Sequence, residues 1–132
     1  DPPPVVSTHT GAMALTKHRR NLPDSQLRDL AATGGLAGVT FYPPHVAREG
    51  VPPSIDDPVA HLEHMAGVMG IEHVAVGADL DGFDPPGLPG GADSPALYGL
   101  LEERLLGRGW RREHVDLALG GNAMRVLRRV LR

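Results

Sequence analysis

His73-Val74-Ala75-Val76-Gly77-Ala78-Asp79-Leu80-Asp81-Gly82 decides how this chain folds. A short apolar run with no polar alternation is the pattern of a parallel strand buried on both faces. This run stops at a carboxylate, and α/β enzymes gather their chemistry at the carboxyl ends of such strands. Pro4-Val5-Val6-Ser7-Thr8 repeats the pattern and leads into His9-Thr10. Leu36-Ala37-Gly38-Val39-Thr40-Phe41-Tyr42 is a third run, β-branched and aromatic toward its end, stopped by Pro43-Pro44. The expected strands are therefore Pro4–Thr8, Leu36–Tyr42 and His73–Ala78.

Helical periodicity fills the gaps. Asp24 is placed to cap a helix over Ser25–Thr33, with Leu27, Leu30 and Ala31 on one face and Gly34-Gly35 as its stop. A polar, proline-rich loop runs to about Pro53. Ser54 or Asp56 then caps a helix reaching Met69, its face made by Val59, Leu62, Met65, Ala66 and Met69. The segment Asp81–Asp93 reads as a loop on the active face, and Ser94 as the cap of a helix over Pro95–Leu106. Two shorter helices are expected near Arg112–Leu119 and Asn122–Leu131.

Three βα units in series imply parallel strands joined by right-handed crossovers, an α/β fold. The 132 residues suffice for one domain. A whole (β/α)₈ barrel needs about 250. Three parallel strands alone leave two open edges. The expectation is one domain, 1–132, comprising the last three βα units of a barrel plus C-terminal helices, with the N-terminal part of the barrel absent or supplied by another chain.

Composition narrows the function. Thirteen basic against sixteen acidic residues, a net charge of −3, argue against nucleic acid as a partner. There is no cysteine, hence neither a disulfide framework nor a thiolate metal site. No apolar run approaches the roughly 18 residues of a membrane span, and no signal or lipidation motif is visible, so a cytoplasmic location is expected.

The candidate site residues lie at strand ends. Taken by itself, His9 is either a zinc ligand, a role neutral imidazole fills readily, or a histidine hydrogen-bonded in a turn. Arg20, in Lys17-His18-Arg19-Arg20-Asn21, suits bidentate binding of a carboxylate, or is solvated as Lys17, His18 and Arg19 are expected to be. Asp79 and Asp81 share one side if both stay extended, and either a general base or a metal ligand is chemically apt. Asp79 is preferred for chemistry and Asp81 for a turn. His61 and His64 read as packed or surface residues, and nothing marks His45, His73 or His114. Arg125, Arg128, Arg129 and Arg132 form a solvated stripe on the last helix. There is no G-x-S-x-G, phosphate loop or C-x-x-C.

Taken together, Ser7-Thr8-His9-Thr10-Gly11-Ala12, Arg19-Arg20-Asn21-Leu22-Pro23-Asp24, Gly35–Tyr42, His61-Leu62-Glu63-His64, Val76–Gly82 and Leu119-Gly120-Gly121-Asn122-Ala123-Met124-Arg125-Val126 resemble the C-terminal part of a membrane dipeptidase, the renal dipeptidase-like peptidase family M19. The resemblance implies an amidohydrolase-type (β/α)₈ barrel with two zinc ions, acting on dipeptides and in some members on β-lactams or D-residue dipeptides. It implies that His9 is a zinc ligand, that Arg20 binds the substrate's terminal carboxylate, and that the catalytic Asp79 handles the proton of the attacking water. It also implies a dipeptide substrate and a possible homodimer. The family's His-x-Asp pair, bridging glutamate and earlier metal histidine have no counterpart in this sequence. The isolated chain is therefore expected neither to hold two zinc ions tightly nor to turn over dipeptides. The rivals are another amidohydrolase, such as a deaminase or lactonase, and a non-catalytic truncated remnant or interaction module.

Overall fold

The computed structural model describes residues 2–80, 82 and 94–131. Most of the expected Asp81–Asp93 loop, with Asp81 itself, and Arg132 of the basic stripe lie outside the described residues. The strands are β1 (Val6–Thr10), β2 (Leu36–Val39) and β3 (Val74–Val76), all parallel in the order β1-β2-β3. Val6 stands opposite Leu36, and Val39 opposite Val76. The helices are α1 (Asp24–Ala32), α2 (Pro43–Val46), α3 (Asp56–Met69), α4 (Leu97–Gly107), α5 (Arg112–Asp116) and α6 (Asn122–Val130). The α/β reading holds: α1 follows β1, α2 and α3 follow β2, and α4 follows β3.

The boundaries move for physical reasons. Strand β1 runs Val6–Thr10, so His9 and Thr10 lie inside the strand rather than beyond it. The β2 ladder ends at Val39, yet Thr40 N–H still donates to the Thr10 carbonyl (2.9 Å) and Phe41 N–H to the Ala78 carbonyl (3.3 Å). His73 belongs to a tight turn, Ile71–His73, before β3, and its Nδ1–H donates to the Gly35 carbonyl (2.8 Å). The stretch expected as loop after Tyr42 holds helix α2, which opens on Pro43 and Pro44. Asp24 is the first helical residue of α1 rather than its cap, and its carboxylate accepts from His64 Nε2–H (2.8 Å). Ser54 does start α3: its Oγ accepts from Asp56 N–H (3.2 Å), while the Asp57 carboxylate accepts from Ser54 N–H (3.0 Å). Helix α4 begins two residues beyond Pro95, at Leu97. A wide helical turn at Leu117–Gly121 separates α5 from α6. Buried Asn122 then ties α6 to the foot of β3, donating to the carbonyls of Ile71 (2.7 Å) and Val74 (2.8 Å).

Two apolar clusters make most of the core. One packs Leu27 and Leu30 of α1 and Leu62, Met65 and Met69 of α3 on Ala37, Val39 and Val74 of the sheet. The other gathers Phe41, Val59 and Ala78 with Leu97, Leu101 and Leu105 of α4 and Val115 of α5. Val76 and Trp110 border both clusters. Strand β2, with a neighbour on each side, is buried at every position, whereas Val6 on β1 and Val5 before it are 41% and 53% exposed.

His61 of α3 is buried and locked in one tautomer. Its Nδ1 accepts the Ala12 N–H (2.9 Å), so the ring proton sits on Nε2 and donates to Thr16 Oγ1 (3.1 Å). Thr16 Oγ1 donates in turn to the Ala47 carbonyl (3.3 Å). Burial pushes its pKa down to about 4, the Val46 backbone and Asp57 offsetting part of the effect. Below its ordinary value of 6.5 the unfolded chain binds the proton more tightly than the folded one. The stabilisation is therefore full at neutral pH and falls as pH drops toward about 4, by up to about 3 kcal/mol. Urea midpoints across this window should show that decline, and His61→Gln should flatten it.

Candidate functional site

The site forms where the parallel strands end. His9 is the penultimate residue of β1, and its Nδ1 lies 2.8 Å from Thr8 Oγ1. With the hydroxyl as acceptor, Nδ1 carries the proton and Nε2 presents a free lone pair. His9 Nε2 lies 3.9 Å from Asp79 Oδ2, and the two side chains are 34% and 37% exposed. Neighbouring strands are about 4.8 Å apart, so the outer two of three stand almost twice that distance from each other. The β1 ladder is irregular at the same place, its register shifting between Ser7 and Thr10.

Two glycines permit this. A Cβ on Gly38 would lie 2.3 Å from the Thr8 carbonyl oxygen, and one on Gly77 only 1.7 Å from it. The β1 backbone thus leans over the sheet where side chains are missing and carries His9 toward β3. Asp79, two residues after Gly77, has a left-handed backbone with φ 60°. That conformation costs a non-glycine residue on the order of 1 kcal/mol and is found disproportionately at functional sites. The chain leaves the extended path at Asp79, so the condition under which Asp79 and Asp81 would share a side is not met; Asp81 itself lies outside the described residues. The Asp79 carbonyl instead accepts from Gly82 N–H (3.0 Å).

Arg20 sits on a closed loop beside these residues. The loop's ends are joined by Leu22 N–H to the Gly11 carbonyl and Met13 N–H to the Leu22 carbonyl (both 3.0 Å). Arg20 is held by its backbone on both sides. Its N–H donates to His18 Nδ1 (3.2 Å) and its carbonyl accepts from Thr10 Oγ1 (3.1 Å). Buried Asn21 ties the loop to α2, donating to the carbonyls of Thr16 and His45 (2.8 Å each).

Sequence reasoning missed His18 and His45. His18 is half-buried rather than solvated, and its ring centroid lies 4.2 Å from that of His45. His45 is buried, with Tyr42 edge-on at 5.1 Å. Burial lowers its pKa, and the charges of His18, Arg20 and His9 lower it further, against Asp79, which raises it. His45, on the helix that follows β2, thus feels the charge of all three candidate residues. Applying the strand-end rule to β2 as well would have pointed there. Its Nδ1 is buried and, among the described residues, has no hydrogen-bond partner, as is true of Asn21 Oδ1; an atom left so costs about 1–3 kcal/mol.

Among the described residues no three His, Asp or Glu side chains converge on a point that could hold a metal ion. His61 and His64 do not pair on one ion: His61 faces the Ala12–Thr16 loop and His64 faces Asp24. Of the arginine stripe, Arg125 donates to the Glu72 carbonyl (2.8 Å), while Arg128 and Arg129 are exposed. No described helix is long and apolar enough to cross a membrane.

An imidazole and a carboxylate brought to 3.9 Å at the carboxyl end of a parallel sheet place the molecule among α/β proteins with a candidate strand-end site. More particularly, the chain belongs to the membrane dipeptidase family (peptidase family M19), whose model matches residues 2–132. It is 32% identical over 125 residues to the Dipeptidase aclJ of Aspergillus oryzae, covering 94% of this chain and 29% of that protein. A metallo peptidase from Rhodobacter sphaeroides, solved with a phosphinate mimic of the dipeptide L-Ala-D-Ala, superposes with a TM-score of 0.85 at 26% identity, covering 96% of this chain and 36% of that one. An amidohydrolase from Pseudomonas aeruginosa superposes equally well, TM-score 0.85 at 27% identity, over 97% of this chain and 46% of that one. The chain thus spans less than half the length of each of these relatives.

The glycine contact is testable. Gly77→Ala puts a methyl group into the Thr8 carbonyl, and we expect a loss of about 3 kcal/mol in a denaturant titration. Gly67→Ala, where a Cβ meets nothing within 4 Å, should show no such loss.

Proposed function

We propose that this chain supplies the strand-end part of a zinc-dependent dipeptidase site, set in the last three βα units of an amidohydrolase-type (β/α)₈ barrel. The observation that carries the reading is the approach of His9 Nε2 to Asp79 Oδ2, 3.9 Å, across the carboxyl end of the sheet. In the proposed site His9 is one zinc ligand through Nε2, a role suited by the Thr8 contact at its other nitrogen. Bound zinc, two ions in the complete site, supplies a Lewis acid for the scissile carbonyl and a water acidic enough to attack near neutral pH. Asp79 would take the proton of the attacking water and hand it on to the leaving amine. Arg20 holds the terminal carboxylate of the dipeptide, and an anchor at a fixed distance from the reacting bond selects for substrate length.

The remaining ligands and strands come, in this reading, from further polypeptide. The short span against the relatives and the exposed valines on the open β1 edge support it. Sequencing the coding DNA upstream of the Asp1 codon is the direct test. An in-frame His-x-Asp, a later glutamate and another strand-end histidine are expected, whereas a stop or unrelated sequence would overturn the shared-barrel reading. Stoichiometric zinc in the 132-residue chain, with dipeptide hydrolysis abolished by His9→Ala, would overturn the claim that the chain holds only part of the site.

In the complete protein, Arg20→Ala should raise KM for dipeptides by about 100-fold, the loss of a charge-assisted bidentate contact. Asp79→Asn should instead lower kcat by about 10²–10⁴-fold. A deaminase or lactonase built on the same fold would tolerate Arg20→Ala, so steady-state kinetics on that variant separate the two enzyme classes.

A further inference from the structure

Arg20 has a long, exposed side chain, and a guanidinium on a mobile backbone would make a poor anchor because ordering it on binding costs entropy. Here the backbone is already fixed. His18 Nδ1 accepts the Arg20 N–H at 3.2 Å, and Thr10 Oγ1 donates to the Arg20 carbonyl at 3.1 Å. The His18 ring, which makes the first of these bonds, lies against His45 with centroids 4.2 Å apart and planes tilted by 46°. His45 is itself 3% exposed, backed by the Tyr42 ring at 5.1 Å, and its backbone carbonyl accepts from Asn21, the residue following Arg20. Buried His45 thus supports His18, and His18 supports Arg20.

We infer that His18 and His45 are positioning residues that preorganise Arg20 to receive an anionic ligand group, the terminal carboxylate of a dipeptide. This rests on the reading of Arg20 as the carboxylate anchor and names the two residues that make it effective. Neither imidazole needs to touch the substrate. His45 acts through the volume and flatness of its ring, His18 through its ring and its Nδ1 lone pair.

The test is carboxylate discrimination by the 132-residue chain. L-Ala-D-Ala and its C-terminal amide are titrated separately, each followed by NMR shifts of the backbone N–H groups of residues 18–22, which every variant retains. The quantity read is the ratio of the two affinities, which a general loss of stability does not move. The wild-type chain should prefer the acid, and Arg20→Ala should abolish the preference. His18→Ala and His45→Ala should each reduce it by about tenfold, and His45→Phe, which restores a flat ring, should recover most of it. Half-buried His18 decides the matter if His45→Ala fails to fold. Loss of the preference in Arg20→Ala but not in His18→Ala overturns the positioning role and leaves the anchor standing. A wild-type chain that does not distinguish acid from amide, or an Arg20→Ala variant that still does, overturns the anchor and the positioning role together.

Discussion

One contact sets the geometry at the strand ends: the Thr8 carbonyl occupies the space where side chains at 38 and 77 would begin. In a parallel sheet the first and third strands stand about 9–10 Å apart. Glycine on β2, at 38, and just past β3, at 77, lets the β1 backbone at Thr8 pack close over both. His9 needs no unusually long reach, and Asp79 needs only to turn left-handed at the end of its strand. The strain at Asp79 and the unsatisfied atoms of Asn21 and His45 lie in the same neighbourhood.

The Gly11–Leu22 loop is fixed from three sides. Its ends are laced together by backbone pairing, Asn21 bridges Thr16 to α2, and His61 reaches out of α3 to Ala12 and Thr16. Each of these groups is buried or half-buried, so each bond is protected from competition with water. The loop therefore behaves as an extension of the scaffold, carrying an exposed arginine on a rigid base.

Much of the fold was legible because parallel strands leave so plain a trace. The runs at Leu36 and Val74 are apolar without alternation, while Pro4-Val5-Val6 leads into a polar β1, and the leucines and methionines of α1 and α3 recur at helical spacing. The errors fall where backbone geometry outweighs pattern. Pro43-Pro44 looked like a terminator and instead opens α2, since proline suits the first turn of a helix as well as the end of a strand. Gly120-Gly121 turned a simple break between helices into a wide helical turn. At the site, the strand-end rule located His9 and Asp79, and the sequence placed Arg20 on the following loop. His18 and His45 escaped it because their meaning lies in a contact between residues 27 positions apart, on segments that sequence pattern describes as loop. Gly38 and Gly77 escaped for a related reason: a glycine inside an apolar run shows that something comes close, but not what.

The two core clusters meet at only a few residues, Val76 and Trp110 among them. Trp110 is also the chain's single tryptophan. Its indole emission is thus sensitive to solvent reaching either side of the seam. One fluorescence trace would then carry both halves of the unfolding reaction, and a biphasic melt would mean that the α1/α3 core and the α4/α5 core separate before both are lost.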